Sequence, residues 1–439
     1  MKVAMTPLFE LTGSMSRKIY SFEDAVRGDP NDPYVKSIPR STSSGYPYTF
    51  GKDTKKTQFF GTNQDFDFTS EAAQKLKQKV STVVSDAAQG IRHLHVFSPA
   101  LKDELRKDAK VAEGKTRLIS GAPIDYLIAF RMYFMSFMSA CMRTKVATGL
   151  CVGVNPHSKD WDMLARRALM KGGKVVAGDY KGFDANGHPQ IFSAMITYIN
   201  QWYNDGPENA RIREVLWLEL VNSRHVKAYG DKSGQTIYQW MSSLPSGHPF
   251  TALGNSIANI CLLVLAYNDA TGEMYAFWHY IHPFVFGDDN LIAIADALIH
   301  VYNQNTLPQL LLPYGFVYTD ENKAGDEAAP YRSLTEVSFL KRGFRYDETL
   351  TMWVAPLERV SMLKSLYWCS NARLSDSIEL SAVDLFIAER AVHGPEGFSE
   401  DVQKVISRLN NARSNDRLHT PPFDTEYCTA LLRSRDIEL

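Results

Sequence analysis

Asp288 and Asp289 stand side by side in Pro283-Phe-Val-Phe-Gly-Asp-Asp-Asn-Leu-Ile-Ala-Ile294, where two apolar, strand-like runs flank a Gly-Asp-Asp-Asn corner. A hairpin of that pattern presents two carboxylates at one exposed tip. Upstream, Lys174-Val-Val-Ala-Gly-Asp179 reads as a short buried strand ending on a carboxylate, and Asp184 follows five residues later. Carboxylates gathered at strand ends suit a divalent-metal site, because a pair of Mg²⁺ ions held ~3.5–4 Å apart is the recurring device for phosphoryl and nucleotidyl transfer. On its own the Gly-Asp-Asp-Asn tetrapeptide reads as a solvated turn, so the rest of the chain has to decide.

Other residues fit chemistry on phosphates. Lys110, Lys115 and Arg117 lie in a basic stretch, Lys102 to Ile119, that alternates charge with strand formers. An extended hairpin there would point Lys115 and Arg117 to one face, where two cations suit a triphosphate; a solvated charged hairpin is the competing reading. Leu244-Pro-Ser-Gly-His-Pro-Phe-Thr-Ala-Leu-Gly-Asn255 is a Ser-Gly loop opening a long apolar helix, and Thr251 and Asn255 share one helical face. Lys323 closes the unit Tyr314-Gly-Phe-Val-Tyr-Thr-Asp-Glu-Asn-Lys323, and Phe339-Leu-Lys-Arg-Gly-Phe-Arg345 reads as an apolar-basic hairpin.

The elements that must position these residues follow from periodicity. Residues 71–89 form an amphipathic helix after a serine cap, and Leu127 to Met142 forms a buried helix, too short and too interrupted by Arg131 for the ~20 residues of a membrane span. Residues 188–225 are helical and look like an insertion between catalytic strands, 296–312 read as a helix, and Leu357 to Leu439 as a separate helical subdomain broken near Gly394 to Gly397 and Thr420 to Pro422. The loop around Arg40-Ser-Thr-Ser-Ser-Gly-Tyr-Pro-Tyr48 interleaves aromatics with polar residues, as a segment lying along a nucleic-acid strand would.

With 439 residues and a formal charge of −1, the chain has material for two or three subdomains, and bulk charge does not bind it to a polyanion; any such partner lies in a local groove. Five cysteines without paired spacing give no zinc motif. No signal peptide or membrane span is read, so the chain reads as soluble.

Taken in order, Asp179 with Asp184, Ser246-Gly247 with Thr251 and Asn255, Phe-Gly-Asp288-Asp289, Lys323 and Phe-Leu-Lys341-Arg342 resemble the motifs of the RNA-dependent RNA polymerases of positive-strand RNA viruses. Lys102-Asp-Glu-Leu-Arg, Gly-Lys115-Thr-Arg117-Leu-Ile and Ser44-Gly45-Tyr-Pro-Tyr resemble finger motifs of the picornavirus-like group, and Phe286 with Asn290 points towards a dicistrovirus- or iflavirus-like branch. The resemblance implies an α+β right hand of fingers, palm and thumb, the palm a small antiparallel sheet backed by helices and the thumb helical. It implies fingers over 1–171 running into the palm, a metal-ligand palm strand over 172–187, a fingers insertion over 188–240, palm over 241–356 and thumb over 357–439. Family members usually carry several tens more residues before the Ser-Gly-Tyr-Pro element, so a missing N-terminal fingers segment is expected.

The implied activity is template-directed RNA synthesis from NTPs in viral genome replication, with two Mg²⁺ ions for which Mn²⁺ can substitute. Asp179, Asp288 and Asp289 are the implied metal ligands, Asp289 assisting, and Lys323 the general acid for pyrophosphate. Lys110, Lys115 and Arg117 would address the triphosphate, Asp184, Thr251 and Asn255 the ribose 2′-hydroxyl, and Ser246 and Gly247 a loop that rearranges as template advances. Ser44, Gly45, Lys341 and Arg342 would contact template or primer. Implied partners are template and primer RNA, a viral protein primer and other replication proteins. The expected state is a monomer in the host cytoplasm, recruited to membrane-associated replication complexes. Reverse transcription and a non-catalytic RNA-binding scaffold are the alternatives; Asp184 and Asn255 favour ribose, and clustered acids without a metal would oppose RNA binding. His248, following Gly247, reads as a structural histidine.

Overall fold

The computed structural model describes residues 1–50, 53–106, 108–226, 236–323, 328–367, 376–412 and 426–435. Its described strands are β1 (Val96–Leu101), β2 (Leu118–Gly121), β3 (Lys174–Tyr180), β4 (Arg224–Val226), β5 (Ile237–Gln239), β6 (Ile281–Phe286), β7 (Asp289–Ile294), β8 (Tyr318–Asp320), β9 (Arg345–Asp347) and β10 (Met352–Val354). They form a central four-stranded sheet in the order β6-β7-β3-β8, a second sheet in the order β2-β1-β4-β5, and a β9–β10 hairpin.

Every neighbour in the central sheet is antiparallel. β3, β6 and β7 are largely apolar along both parities because both faces are covered, so the two parities along each of these strands enter different cores. Val176, Ile292, Ile294 and Val285 join the main core with the helices Ile124–Thr148 and Thr251–Thr271. Val175, Ala177, Leu291, Ala293 and Phe284 pack instead against Trp161, Leu164 and Ala165 of the helix Lys159–Leu169 and against Phe339 and Phe344. Trp161 is wholly buried, and its truncation to alanine would cost about 3–5 kcal/mol. Gly178 is required in β3: a Cβ there would lie 1.9 Å from the Tyr318 hydroxyl, which crosses the strand to donate to Asn290 at 2.7 Å.

A third cluster, including Phe386, Ile387, Phe398, Val402 and Leu431, holds together the C-terminal helices Asp376–Val392, Phe398–Ala412 and Tyr427–Arg433. The break near Gly394 to Gly397 is present; the one expected near Thr420 to Pro422 falls outside the described residues, as does Cys369. Cys141, Cys151 and Cys261 are buried free thiols and Cys428 is exposed.

The helix expected over 71–89 runs Glu71–Ala88 behind the Ser70 cap, the stretch Leu127 to Met142 lies inside Ile124–Thr148, and 188–225 folds as the helices Pro189–Tyr203 and Pro207–Val221 before β4. Two expectations are corrected. Residues 296–312 form a single turn at Asp296–Leu298 and a short helix, Leu307–Leu311, because Asn303 turns its side chain onto the Asn305 and Thr306 amides and interrupts the helix locally. The stretch before β2 is not an extended hairpin: Asp108–Ala112 is helical and the Lys115 amide donates to the Lys110 carbonyl. The helix Thr251–Thr271 is long and apolar enough to cross a membrane, yet most of it is buried inside the fold, where it backs the central sheet.

Candidate functional site

The β6–β7 hairpin closes on the pair Phe286↔Asp289, leaving Gly287 and Asp288 as the two turn residues. The tip is fixed from below by the helix Thr251–Thr271. The Ser256 hydroxyl accepts from the Gly287 amide at 2.7 Å, and the Asn259 amide donates to the carbonyls of Gly287 and Asp288 at 3.1 and 3.3 Å. The Tyr180 hydroxyl donates to Asn259 Oδ1 at 3.1 Å, tying β3 to the same anchor. Gly178 is the last β3 residue paired with β7, opposite Asn290, so Asp179, still paired with Thr319 of β8, comes next to the Asp288–Asp289 corner.

The carboxylates differ in surroundings. Asp288 is exposed at the tip. Packing around it nonetheless raises its carboxyl, as does the charge of Asp179, while Arg117 opposes them. Asp289 turns under the tip and accepts from the Leu340 amide at 3.0 Å; burial, with the charges of Asp288, Glu321 and Asp179, pushes its carboxyl up to about 7. Asp179 faces Lys323 Nζ at 3.5 Å. Among the described residues no three His, Cys, Asp or Glu side chains are already gathered as a ligand cage. Yet the charge of Asp179 bears on Asp288, and both bear on Asp289, a repulsion among hard oxygen donors that a divalent cation relieves, so Asp179, Asp288 and Asp289 fit such an ion.

Asp184 sits in the turn Phe183–Ala185 just after β3, and its Oδ1 accepts from Asn255 Nδ2 at 2.6 Å. Packing raises the Asp184 carboxyl, as does the charge of Asp288, against the Asn255 hydrogen bond. Thr251, one turn before Asn255, donates to the Pro245 carbonyl at 2.6 Å. Ser246 and Gly247 are pinned to β2: the Ser120 amide donates to the Ser246 carbonyl at 2.7 Å. Gly247, at φ +99°, lies so close that a Cβ would meet Ile119 Cγ2 at 2.5 Å. His248 is buried against Phe130 and its Nδ1 accepts from the Phe250 amide, and burial lowers its pKa to about 3, so it is a structural imidazole.

The cations are less free than their sequence suggests. Arg117 is exposed but makes a bidentate pair with Glu104, which Lys102 and Arg106 also approach; Arg117 foremost holds the Glu104 carboxyl down at about 2. Lys115 pairs with Glu113 at 2.6 Å, and Lys110 is exposed on its short helix. Lys341 is exposed in a turn, whereas Arg342 is engaged by Glu389. Ser44 is wholly buried, with its hydroxyl accepting from Gln58, and Gly45 is buried beside it, so neither offers a surface to an RNA strand. Ser256, Asn259, Glu104 and Leu340 carry parts of the site that the sequence reading passed over. The spacing of Asn259, four residues after Asn255 on one helix, was the available signal.

Residues 7–410, nearly the whole chain, match the sequence profile of the family described as viral RNA-dependent RNA polymerase. The chain belongs to that family. The chain is 33% identical over 402 residues to the replicase polyprotein of Drosophila C virus (strain EB), covering 88% of the chain and 22% of the polyprotein. It is 31% identical over 424 residues to that of acute bee paralysis virus (strain Rothamsted), covering 93% and 22%. The chain thus spans about a fifth of the length of these curated relatives. Its fold is that of a Sicinivirus 3Dpol RNA dependent RNA polymerase, with a TM-score of 0.77 at 20% identity over 98% of this chain and 83% of that one. The picornavirus-like resemblance read from the ordered motifs therefore stands, with insect-virus replicases among the relatives, and so does the right-hand α+β class.

Proposed function

We propose that this chain performs template-directed RNA synthesis, adding NTPs to an RNA 3′ end during viral genome replication. The observation that supports it most is the convergence of Asp179 and the Asp288–Asp289 tip with the Asp184–Asn255 pair, hydrogen-bonded at 2.6 Å. In this reading the fingers span 1–171 and 188–240, the palm 172–187 and 241–356, and the thumb 357–439.

Asp179 and Asp288, with Asp289 assisting, would hold two divalent cations, Mg²⁺ or substituting Mn²⁺, which when bound activate the 3′-hydroxyl and neutralise the triphosphate. Arg117, with Lys115 and Lys110 along the approach, binds the triphosphate; its fork exchanges the Glu104 carboxylate for phosphate oxygens of matching geometry. Asp184, Asn255 and Thr251 hold the ribose 2′-hydroxyl, and an analogue lacking it leaves those groups unpaired. Lys323 gives its proton to departing pyrophosphate. Ser246 and Gly247 follow the template as it advances, and Lys341 holds the primer backbone. The partners are template and primer RNA, a protein primer and other replication proteins, and the site of action is the host cytoplasm, at membrane-associated replication complexes.

A primer-extension assay with and without Mg²⁺, comparing NTPs with dNTPs, tests the reading. Metal-dependent incorporation of NTPs is expected. Preference for dNTPs would make the chain a reverse transcriptase, and RNA binding without incorporation would make it a scaffold.

A further inference from the structure

The turn Phe339–Arg342 joins two parts of the molecule. On one side its Leu340 amide donates to the Asp289 carboxylate at 3.0 Å. On the other, Arg342 meets Glu389 of the helix Asp376–Val392 with both tips of its fork, Nη1 to Oε2 at 2.9 Å and Nη2 to Oε1 at 2.6 Å. Nη1 also donates to the Ala355 carbonyl at 2.8 Å, and His157 Nε2 lies 3.2 Å from Glu389 Oε1. The side chains of Arg342 and Glu389 are only 12% and 6% exposed. Burial alone would raise the Glu389 carboxyl, yet the hydrogen bonds from His157 and Arg342 hold it down at about 2.

Between these attachments the turn is short and strained. Leu340 and Lys341 have φ of +54° and +61°, a region that residues with side chains occupy at a cost and keep only when their surroundings over-determine it. Phe339 and Arg342 exchange both backbone hydrogen bonds, at 2.9 and 3.0 Å, so the turn moves as a unit. A displacement of Arg342 is therefore carried to the Leu340 amide, two residues away.

We propose that the Arg342–Glu389 pair lets the C-terminal helical cluster set the position of the Asp289 carboxylate, which makes Arg342 a positioning residue and not an RNA contact. The proposal rests on the reading that Asp289 serves nucleotide addition.

The test uses Glu389→Gln, which keeps the shape of the side chain and removes its charge, and Arg342→Lys, which keeps charge but loses the fork. Each variant is expected to lower the maximal rate of single-nucleotide incorporation about ten- to a hundredfold, with affinity for a primer–template duplex, read by fluorescence anisotropy without metal, held within about twofold. The double variant is expected to be no slower than the slower single variant, since both remove one interaction. Hydrogen exchange across residues 339–342 should be slow in the wild type and accelerate in both variants. The proposal is overturned by a wild-type rate in Glu389→Gln, by lost RNA affinity at an unchanged rate, or by rapid exchange of the Leu340 amide in the wild type. Should Glu389→Gln fail to fold, Arg342→Lys is read by the same outcomes. A wild type that incorporates no nucleotide refutes the polymerase reading, whereas an active wild type matched by Glu389→Gln refutes only the coupling.

Discussion

The Asn255 side-chain amide donates to Asp184 Oδ1 at 2.6 Å, joining the start of the helix Thr251–Thr271 to the turn after β3. The contact aligns one acceptor-rich and one amide side chain beside the carboxylate tip, which is what a ribose hydroxyl requires. Asn255→Ala is expected to narrow the preference for NTPs over dNTPs by about ten- to a hundredfold, with a smaller effect on dNTP use itself. Comparing kcat/KM for each NTP and its deoxy analogue checks this, and an unchanged ratio would remove ribose selection from this pair.

Asp288 is exposed at the tip and bears charge repulsion from Asp179, and its carboxylate is met only by the local backbone amides of the turn itself. Its removal therefore separates chemistry from folding. Asp288→Ala should reduce primer extension about 10³-fold or more, a barrier increase of roughly 4 kcal/mol. The thermal midpoint of the metal-free protein should stay level or rise. Retained extension would displace Asp288 from the centre of the site.

His95 lies between two buried carboxylates, with Nδ1 2.6 Å from Glu219 Oε2 and Nε2 3.6 Å from Asp125 Oδ2. Burial disfavours its charge, but the hydrogen bonds with Asp125 and Glu219 prevail and raise its pKa to about 9. A histidine raised from its ordinary ~6.5 contributes stability that is fully present below pH ~6.5 and is lost as pH rises through about 9. The wild type should lose on the order of 2–3 kcal/mol across that window. His95→Gln should flatten the slope while lowering stability at neutral pH, because Asp125 and Glu219 lose their cation. Denaturant unfolding from pH 6 to pH 9 reads both effects.

These residues also mark where sequence stops being legible. The Asp179 strand and the Asp288 hairpin were readable because each is local: an apolar run, a turn residue and a carboxylate within a dozen positions. Arg342 was not. Its basic neighbour and apolar flanks suggest a cation aimed at RNA, but the acid that takes it lies 47 residues later on another helix, a pairing only the packed chain reveals. Ser44 misled in the same way, since a Ser-Gly-Tyr-Pro segment looks like an open loop until Gln58 and the Ile124 amide close over the serine. The overlong helix at 296–312 failed for a local reason, the competition of the Asn303 side chain for backbone amides, which periodicity does not register.

Lys323 is more exposed than the Asp179 it faces, and that exposure makes its role testable. Its Nζ is 3.5 Å from Asp179 Oδ2, with the lysine side chain 71% exposed. A surface pair of this kind contributes at most about 1 kcal/mol to stability, so Lys323→Leu should unfold at nearly the wild-type temperature. If Lys323 protonates the leaving pyrophosphate, the same change should slow nucleotide addition about 10²–10⁴-fold with little change in RNA affinity. Arginine separates proton transfer from charge. Lys323→Arg keeps a cation near Asp179 but holds its proton too tightly to give it up near neutral pH. A general-acid role therefore predicts that Lys323→Arg stays nearly as slow as Lys323→Leu, with the solvent deuterium isotope effect on addition diminished in both. Recovery of the rate by arginine would reduce Lys323 to an electrostatic partner of Asp179.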